Sequence, residues 1–488
     1  MPDNGNGEVT FSDVKKESVD EWEFDIANPR NWSSTRKWIC VIIVSFYSFV
    51  SPLSSSMMAP SLPDISTHYG ITSSTIQALT LSIFLLSFAI GPLFFGPLSE
   101  MYGRAWVLHL SNILLLGANI GCAFAPNTGA LIGFRFLAGW GGSASVGIGG
   151  SVVSDIFAPA DRGSAMAILA MGPLVGPTVG PIAGGFVTQT IGFKWVFVII
   201  AAVCGVASVI GIPFLRESYA PVIKLRLARK NRSAEDALGP KESIAQGSWR
   251  DKLALLWINL TRPAILLTRS PICLMLSMYL AFIYGTYYLM FATFPALFSA
   301  VYGFGPGIGG LCYLGLGVGF IVGSFVGAKY GNEMYQYLAK KNGGVGKPEM
   351  RIPSLILCSF FVPIGLFWYG WSAQARIQWI MPVRTDVGIG IFGLGLMMAY
   401  LSIQLYLVDA FEFAASALAA SSVSTSCPPI SVPSLFGFGF PLFAGPMYAA
   451  LGDGPGNSLL AGLAIVIGIP FPIYLYFRGE QLRQRSKY

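Results

Sequence analysis

The chain has 488 residues, of which 53% are hydrophobic and only 11% charged, and its net charge is +7. Soluble domains carry about 25% charged residues, so this composition excludes an ordinary water-soluble globule and points to the lipid bilayer as the main solvent. With two histidines and no His-x-x-x-His or Cys-x-x-Cys spacing, the chain offers no usual setting for a metal-dependent enzyme; neither enzymatic activity nor a metal or other cofactor is expected.

Residues 1–37 are polar and carry both acidic and basic groups. No short apolar core with a small-residue cleavage site precedes Trp38, so they read as a cytosolic tail and not as a signal peptide. The first apolar run, "WICVIIVSFYSFVSPLSSSMMA" over 38–59, has no charge in 22 positions, enough for a helix to cross a hydrocarbon core about 30 Å thick. With this first span at 38–60, further runs follow at 75–98, 105–125, 129–151, 163–188, 194–215, 271–298, 307–328, 352–373, 386–408, 413–450 and 457–477. Lipid cannot satisfy a free backbone, so each is expected to be helical. The polar stretch 216–270 divides them six and six. The expected fold is therefore an all-α integral membrane protein with twelve spans, one six-helix bundle over 38–215 and a second over 271–477, the central loop between them and a short tail over 478–488. Of the 31 Lys and Arg residues, 27 fall on one side of this arrangement, three (Lys194, Arg376, Arg384) on the other, and Arg135 lies within a span. The asymmetry puts both termini and the central loop in the cytosol and accounts for the basic balance without a nucleic-acid partner. All cysteines but Cys427 sit in apolar runs, which suits packing better than a disulfide framework.

Five stretches carry candidate chemistry. At 96–104, "GPLSEMYGR" forms a turn between spans two and three; Gly96 and Gly103 allow it to be tight, and Glu100 and Arg104 are placed at the membrane surface to latch one conformation by pairing with neighbouring spans. Arg135 is a basic residue inside a span, a functional-site hypothesis by default. In span five, "GPLVGPTVGPIAGG" repeats glycine every four residues at Gly172, Gly176, Gly180 and Gly184, with prolines beside them. Such a row drifts only about 40° per step on a 3.6-residue helix, which predicts a stripe for close helix contact on a bent helix packed against the other bundle. In span seven, Tyr284, Tyr287, Tyr288 and Phe291 share a face suited to a hydrophobic, planar molecule; Gln77, Asn112, Asn119 and Gln404 are polar groups that line the same cavity or bond across helices. No carboxylate falls at mid-span: Asp64 lies just past span one, Arg384 and Asp386 in an external loop before span ten, and Asp409 and Glu412 at the cytosolic end of span ten.

Two six-span halves joined by a basic loop, together with Gly96, Leu98, Gly103 and Arg104, resemble the major facilitator superfamily, with Glu100 where that family's loop signature has Asp. The resemblance implies alternating access of two bundles around a central site and assigns Asp155 and Arg162 as partners of the loop latch. Arg135 with Gly139 is similar to the span-four signature linked in the family to proton coupling. The run of Gly176, Gly180, Pro181, Gly184 and Gly185 resembles the antiporter signature of drug:proton antiporters. "NPRNW" (28–32), "RESYAP" (216–221), "PEMRIP" (348–353), "GLFWYGW" (365–371) and "SLFGFGFPLFAGPMYAALG" (434–452) look like the fungal twelve-span branch of that group. The function implied is proton-coupled efflux of hydrophobic small organic molecules by a monomer in the plasma membrane or an internal membrane. Its partners are the substrate, protons and the lipid bilayer. A proton-coupled uptake symporter is the competing reading. One stretch departs from the pattern: between "SALAA" (416–420) and "SLFG" stand the thirteen residues "SSVSTSCPPISVP" (421–433). Their three closely spaced prolines imply either a break in span eleven or extra sequence.

Overall fold

The computed structural model describes residues 22–158, 161–231, 270–375, 381–410 and 428–485. Among these, twelve helices are long and apolar enough to cross a membrane. The first six are α1 (Ser34–Ser56), α2 (Ser74–Tyr102), α3 (Arg104–Ala123), α4 (Thr128–Ile156), α5 (Arg162–Ile191) and α6 (Lys194–Phe214). The second six are α7 (Pro271–Tyr302), α8 (Leu314–Lys341), α9 (Ile352–Ala375), α10 (Met381–Ala410), α11 (Pro428–Leu451) and α12 (Asp453–Gly468), the last continued by a helix over Pro470–Arg485. The ends follow local chemistry. Asn127 caps α4 by accepting from the Ala130 nitrogen at 2.8 Å, and Ser270 starts α7 with Pro271 in the first turn, where a missing donor costs nothing. Glycines with left-handed or Gly-only backbone, Gly103 (φ 104°), Gly192 (φ 97°) and Gly303 (φ 64°), stop α2, α5 and α7.

Three of the boundary differences from the apolar runs bear on residues singled out above. The first span ends at Ser56; a 3-10 turn (Ala59–Ser61) and a short helix (Leu62–Tyr69) that holds Asp64 in its first turn follow it, because Pro60 and Pro63 redirect the chain. Span ten starts at Met381, so Arg384 and Asp386 belong to a helix and not to an external loop. Span eleven runs from Pro428, which overturns the expectation that the proline cluster resists a helix. Pro428 and Pro429 occupy the first turn, where no backbone donor is needed, and only Pro433 of that cluster is interior. Residues 421–427, like Glu412, lie outside the described residues.

The two halves repeat one packing plan. In the first, α1 packs on α5, α2 on α4, and α3 on α4 and α6; in the second, α7 packs on α11, α8 on α10, and α9 on α10 and α12. The halves meet through α2 against α11, and through α5 against α8 and the short helix Pro306–Leu311. Contacts at the face away from the termini close this junction: the Thr75 hydroxyl donates to the Leu442 carbonyl at 3.2 Å, and the Gly307 nitrogen to Gln189 Oε1 at 3.0 Å.

Many span hydroxyls serve their own helix. Ser87, Ser111, Ser143, Ser145, Thr188, Thr286, Thr293, Ser324 and Ser359 each donate to a carbonyl three or four residues back, at 2.7–3.1 Å. This local bond lets a polar side chain enter lipid without a partner on another element. Asn112 instead joins two spans, donating to the Cys204 carbonyl at 2.9 Å and the Ser208 hydroxyl at 2.8 Å of α6. The six described cysteines are free and buried.

Candidate functional site

The site begins where α1 ends. The last carbonyls of a helix have no partner within it, and α1 stops at Ser56. Arg135, fully buried on α4, supplies the donors: Nη1 to the Ser54 carbonyl at 2.8 Å and Nη2 to the Ser55 carbonyl at 3.2 Å. Its guanidinium lies 4.9 Å from the centre of the Phe84 ring of α2, and its Nε has no hydrogen-bond partner among the described residues. The negative end of the α1 dipole suits the cation, so Arg135 is a buried cap and does not snorkel to the surface. The Ser54 hydroxyl donates to Asn119 Oδ1 at 3.2 Å, and the Ser55 hydroxyl meets Tyr288 Oη at 3.1 Å. Because Tyr288 sits on α7, the chain Arg135–Ser55–Tyr288 ties the two bundles together.

Tyr288 belongs to the predicted aromatic face. Tyr284, Tyr287, Tyr288 and Phe291 form one contact group, with Tyr284–Tyr288 centroids 5.1 Å apart, Tyr287–Tyr288 4.9 Å and Tyr287–Phe291 5.0 Å. Phe291 extends it to Tyr313 at 4.6 Å. Tyr287, Tyr288 and Phe291 are buried, Tyr284 is half-buried, and the Tyr287 hydroxyl has no hydrogen-bond partner among the described residues. The α10 residue that acts electrostatically on Tyr284 is Tyr400; Gln404, one turn on, is half-buried.

The glycine row of α5 faces α1 of its own bundle, a correction to the expectation that it meets the other half. A methyl group on Gly172, Gly176 or Gly180 would stand 2.9, 3.0 and 3.1 Å from the backbone nitrogens of Phe49, Leu53 and Met57. Both rows step by four residues, so the two backbones mesh along their length; Gly184 continues the row against Met57. A neighbouring face of α5 makes the inter-bundle contact. The Pro181 carbonyl would stand 2.5 Å from a methyl on Gly310, Gly185 presses on the Pro306 carbonyl, and Thr178 packs against Gly317. The ribbon is thus a wedge, fixed to α1 on one side and bearing on α8 and the helix before it on the other.

At the face that carries the termini, the loop signature closes a polar network. Gly96 and Glu100 lie in the last turns of α2, so the turn itself is made by Gly103 alone. Arg104 is buried; its Nε donates to Asp155 Oδ2 at 2.7 Å and its Nη1 to the Ser99 hydroxyl at 3.0 Å. Glu217 accepts from the Arg104 nitrogen at 2.8 Å, Ser218 donates to Asp155 at 3.3 Å, and the Tyr219 ring covers the guanidinium at 4.7 Å. Burial first, and then the Glu100 charge, push the Tyr219 hydroxyl up to about 12. Arg162 opens α5, and its side chain lies outside the described residues. Glu217 was legible only as part of "RESYAP"; nothing local signals its bond across 113 residues. The second half repeats the device, with Arg351 Nε donating to Asp409 Oδ2 at 2.5 Å under the Tyr335 ring. Asp409 is therefore held in an ion pair with Arg351.

Gly103→Ala is expected to weaken this corner. Its backbone angle disfavours any side chain, and the added methyl would meet the Glu217 carboxyl carbon at 2.7 Å. Forcing such a backbone costs about 1–3 kcal/mol, to be read as a lower unfolding temperature of the purified protein. An unchanged melting curve would contradict this account.

The family model described as Major Facilitator Superfamily matches residues 44–433. The efflux pump vrtL of Penicillium aethiopicum is 41% identical, the match covering 99% of this chain and 94% of the relative. The efflux pump radE of Floropilus chiversii is 40% identical over 98% of this chain and 87% of its own length. The MFS transporter cpaT of Aspergillus oryzae is 40% identical over 99% and 95%. Among solved structures, a partially occluded inward-open form of the xylose transporter XylE from E. coli superposes with a TM-score of 0.66 at 11% identity, covering 91% of this chain and 98% of that one, which speaks for the fold alone. With its two repeated bundles, its glycine-hinged loop and relatives along nearly its whole length, the chain belongs to the major facilitator superfamily and is a multi-pass membrane transporter.

Proposed function

We propose that the protein is a proton-coupled exporter of hydrophobic, planar organic molecules that works by alternating access of its two bundles. The observation that carries this reading is the α5 wedge: one face is locked to α1 through Gly172, Gly176 and Gly180, and the adjacent face, Pro181 and Gly185, bears on the opposite bundle. A helix seated in this way moves with its own bundle and presents a smooth backbone to the other. The aromatic group of α7 gives a flat apolar molecule a matching surface, and two relatives of similar length are named efflux pumps. The distribution of Lys and Arg supports termini in the cytosol of a cell or organelle membrane. The Arg104–Asp155 pair acts as a latch within the first bundle, and a monomer contains every part of this mechanism.

Expression in yeast lacking its own major drug exporters, loaded with rhodamine 6G, tests the proposal. Faster efflux that collapses with a protonophore supports it; faster uptake, or no change in either direction, overturns it. In the same assay Tyr288→Phe removes the 3.1 Å link to Ser55. A hydrogen bond of this kind is worth about 1 kcal/mol, so the efflux rate is expected to change about fivefold.

A further inference from the structure

Export driven by a proton gradient requires a group that binds and releases a proton, and the Arg135–Tyr288 site holds a guanidinium and phenols but, among the described residues, no carboxylate. The helical placement of Asp386 supplies one. It lies in the second turn of α10, is part-exposed, and its Oδ1 is buried with no hydrogen-bond partner among the described residues. The paired latches set a register between the halves: Asp155 and Asp409 correspond, and Arg135, twenty residues before Asp155, corresponds to Ile389. Asp386 is one helical turn from that position. Near corresponding positions the first half thus carries a cation on α4, and the second a carboxylate on α10, with Arg384 two residues before it.

The seam that holds Asp386 is built of backbone. Methyl groups on Gly315, Gly319 and Gly323 of α8 would stand 3.0, 3.0 and 2.9 Å from the Cα atoms of Asp386, Gly390 and Leu394. Gly317, two residues after Gly315 and so on nearly the opposite face, meets Thr178 of α5, whose Cβ would lie 3.0 Å from an added methyl. On this stretch of α8, Gly317 toward α5 and Gly315 and Gly319 toward α10 allow close approach on two faces, with Leu316 and Val318 at the positions between them. A shift of the wedge against Gly317 therefore bears on the same α8 backbone that seats Asp386.

Resting on the exporter reading above, we propose that Asp386 is the carboxylate that carries the exchanged proton, its exposure set by the slip of α8 between α5 and α10. On one side the carboxylate takes up a proton and becomes a neutral acid that the seam accommodates; on the other the O–H bond breaks and the proton leaves to water. The titratable groups facing it are few. Cys312, from the turn before α8, lies within reach of its charge. Tyr313 is engaged with the Phe291 carbonyl at 3.0 Å, and Tyr369 of α9 packs on Phe294 at 5.4 Å. Asp453 at the start of α12 acts on Tyr369 and Tyr448. Asp386 enters no ion pair among the described residues, and the Arg384 side chain lies outside them.

The test uses the purified full chain in nanodiscs, titrated from alkaline to acidic pH by infrared difference spectroscopy. The wild type and Asp64→Asn should show a carboxylic-acid band that is absent in Asp386→Asn and moved in frequency and pH midpoint in Asp386→Glu. A band unchanged in Asp386→Asn, or none in the wild type, overturns the proposal. Proteoliposomes loaded with rhodamine 6G give the second measurement. Gradient stimulation of efflux should fall at least about tenfold in Asp386→Asn, the free-energy equivalent of about 1.4 kcal/mol, and return with a displaced pH profile in Asp386→Glu. Stimulation retained in Asp386→Asn sinks this inference alone; a wild type indifferent to the gradient sinks the exporter reading on which it rests.

Discussion

Gly185→Leu is expected to reduce rhodamine 6G efflux by at least about tenfold while the protein remains folded and in the membrane. Gly185 bears on the Pro306 carbonyl of the opposite bundle, so a leucine side chain has no room while that junction is closed. Overpacking a tight contact costs about 1–3 kcal/mol, and here the cost falls on one conformation only. The bundles can separate at this face and relieve the clash, so the substitution shifts the conformational equilibrium without dismantling either half. Gly176→Leu is the contrasting variant. Its neighbours, Leu53 and Phe49, belong to the same bundle, and no rocking motion moves them away. That protein should be recovered in much lower yield, with broadened size-exclusion peaks. If Gly185→Leu behaves like Gly176→Leu, or transports normally, the division of α5 into an internal and an inter-bundle face is wrong.

Arg135→Lys is expected to lower efflux by about tenfold to a hundredfold. The guanidinium reaches two carbonyls at once and sits over the Phe84 ring; an ammonium is a point charge that cannot bond both carbonyls in the same fixed geometry. Losing one hydrogen bond from a charged donor is worth about 1.5–3 kcal/mol, which matches the stated range. The end of α1 would then be held less firmly, and with it the Ser55 hydroxyl that meets Tyr288. Arg135→Ala should additionally lower the unfolding temperature, since two buried carbonyls lose their donors. Wild-type efflux by Arg135→Lys would reduce this residue to a spectator of transport.

Much of the fold was legible because lipid leaves so few options. Twelve apolar runs in two sets of six became twelve helices, and only their ends moved. The errors share a cause: hydropathy reports composition, whereas a helix boundary depends on where backbone donors run out. Pro60 and Pro63 ended α1 inside a run that reads as apolar, and Pro428 and Pro429 began α11 where prolines appeared to forbid it. Gly103, Arg104 and Asp155 could be found because a tight turn beside charged residues leaves a local pattern. Glu217 could not, since its partners are the backbone nitrogens of Arg104 and Ala105 more than a hundred residues away. The partners of Arg135 are main-chain carbonyls, which have no signature in any sequence. Asp386 was overlooked for a related reason: with Arg384 two residues before it, the stretch reads as a polar loop, and only the backbone contact with Gly315 places it within a helical seam.

The self-bonded serines and threonines bear on the choice of cargo. A sugar must be gripped by a ring of donors and acceptors, each free to turn toward a hydroxyl. In this transporter Ser87, Ser143, Thr286, Thr293, Ser324 and Ser359 already hold carbonyls of their own helices. On the exporter reading proposed above, recognition then falls mainly to ring faces and shape. The hydroxyls of Ser51, Ser82, Ser277 and Tyr287, unpartnered among the described residues, are the ones left to turn toward a polar atom of the cargo.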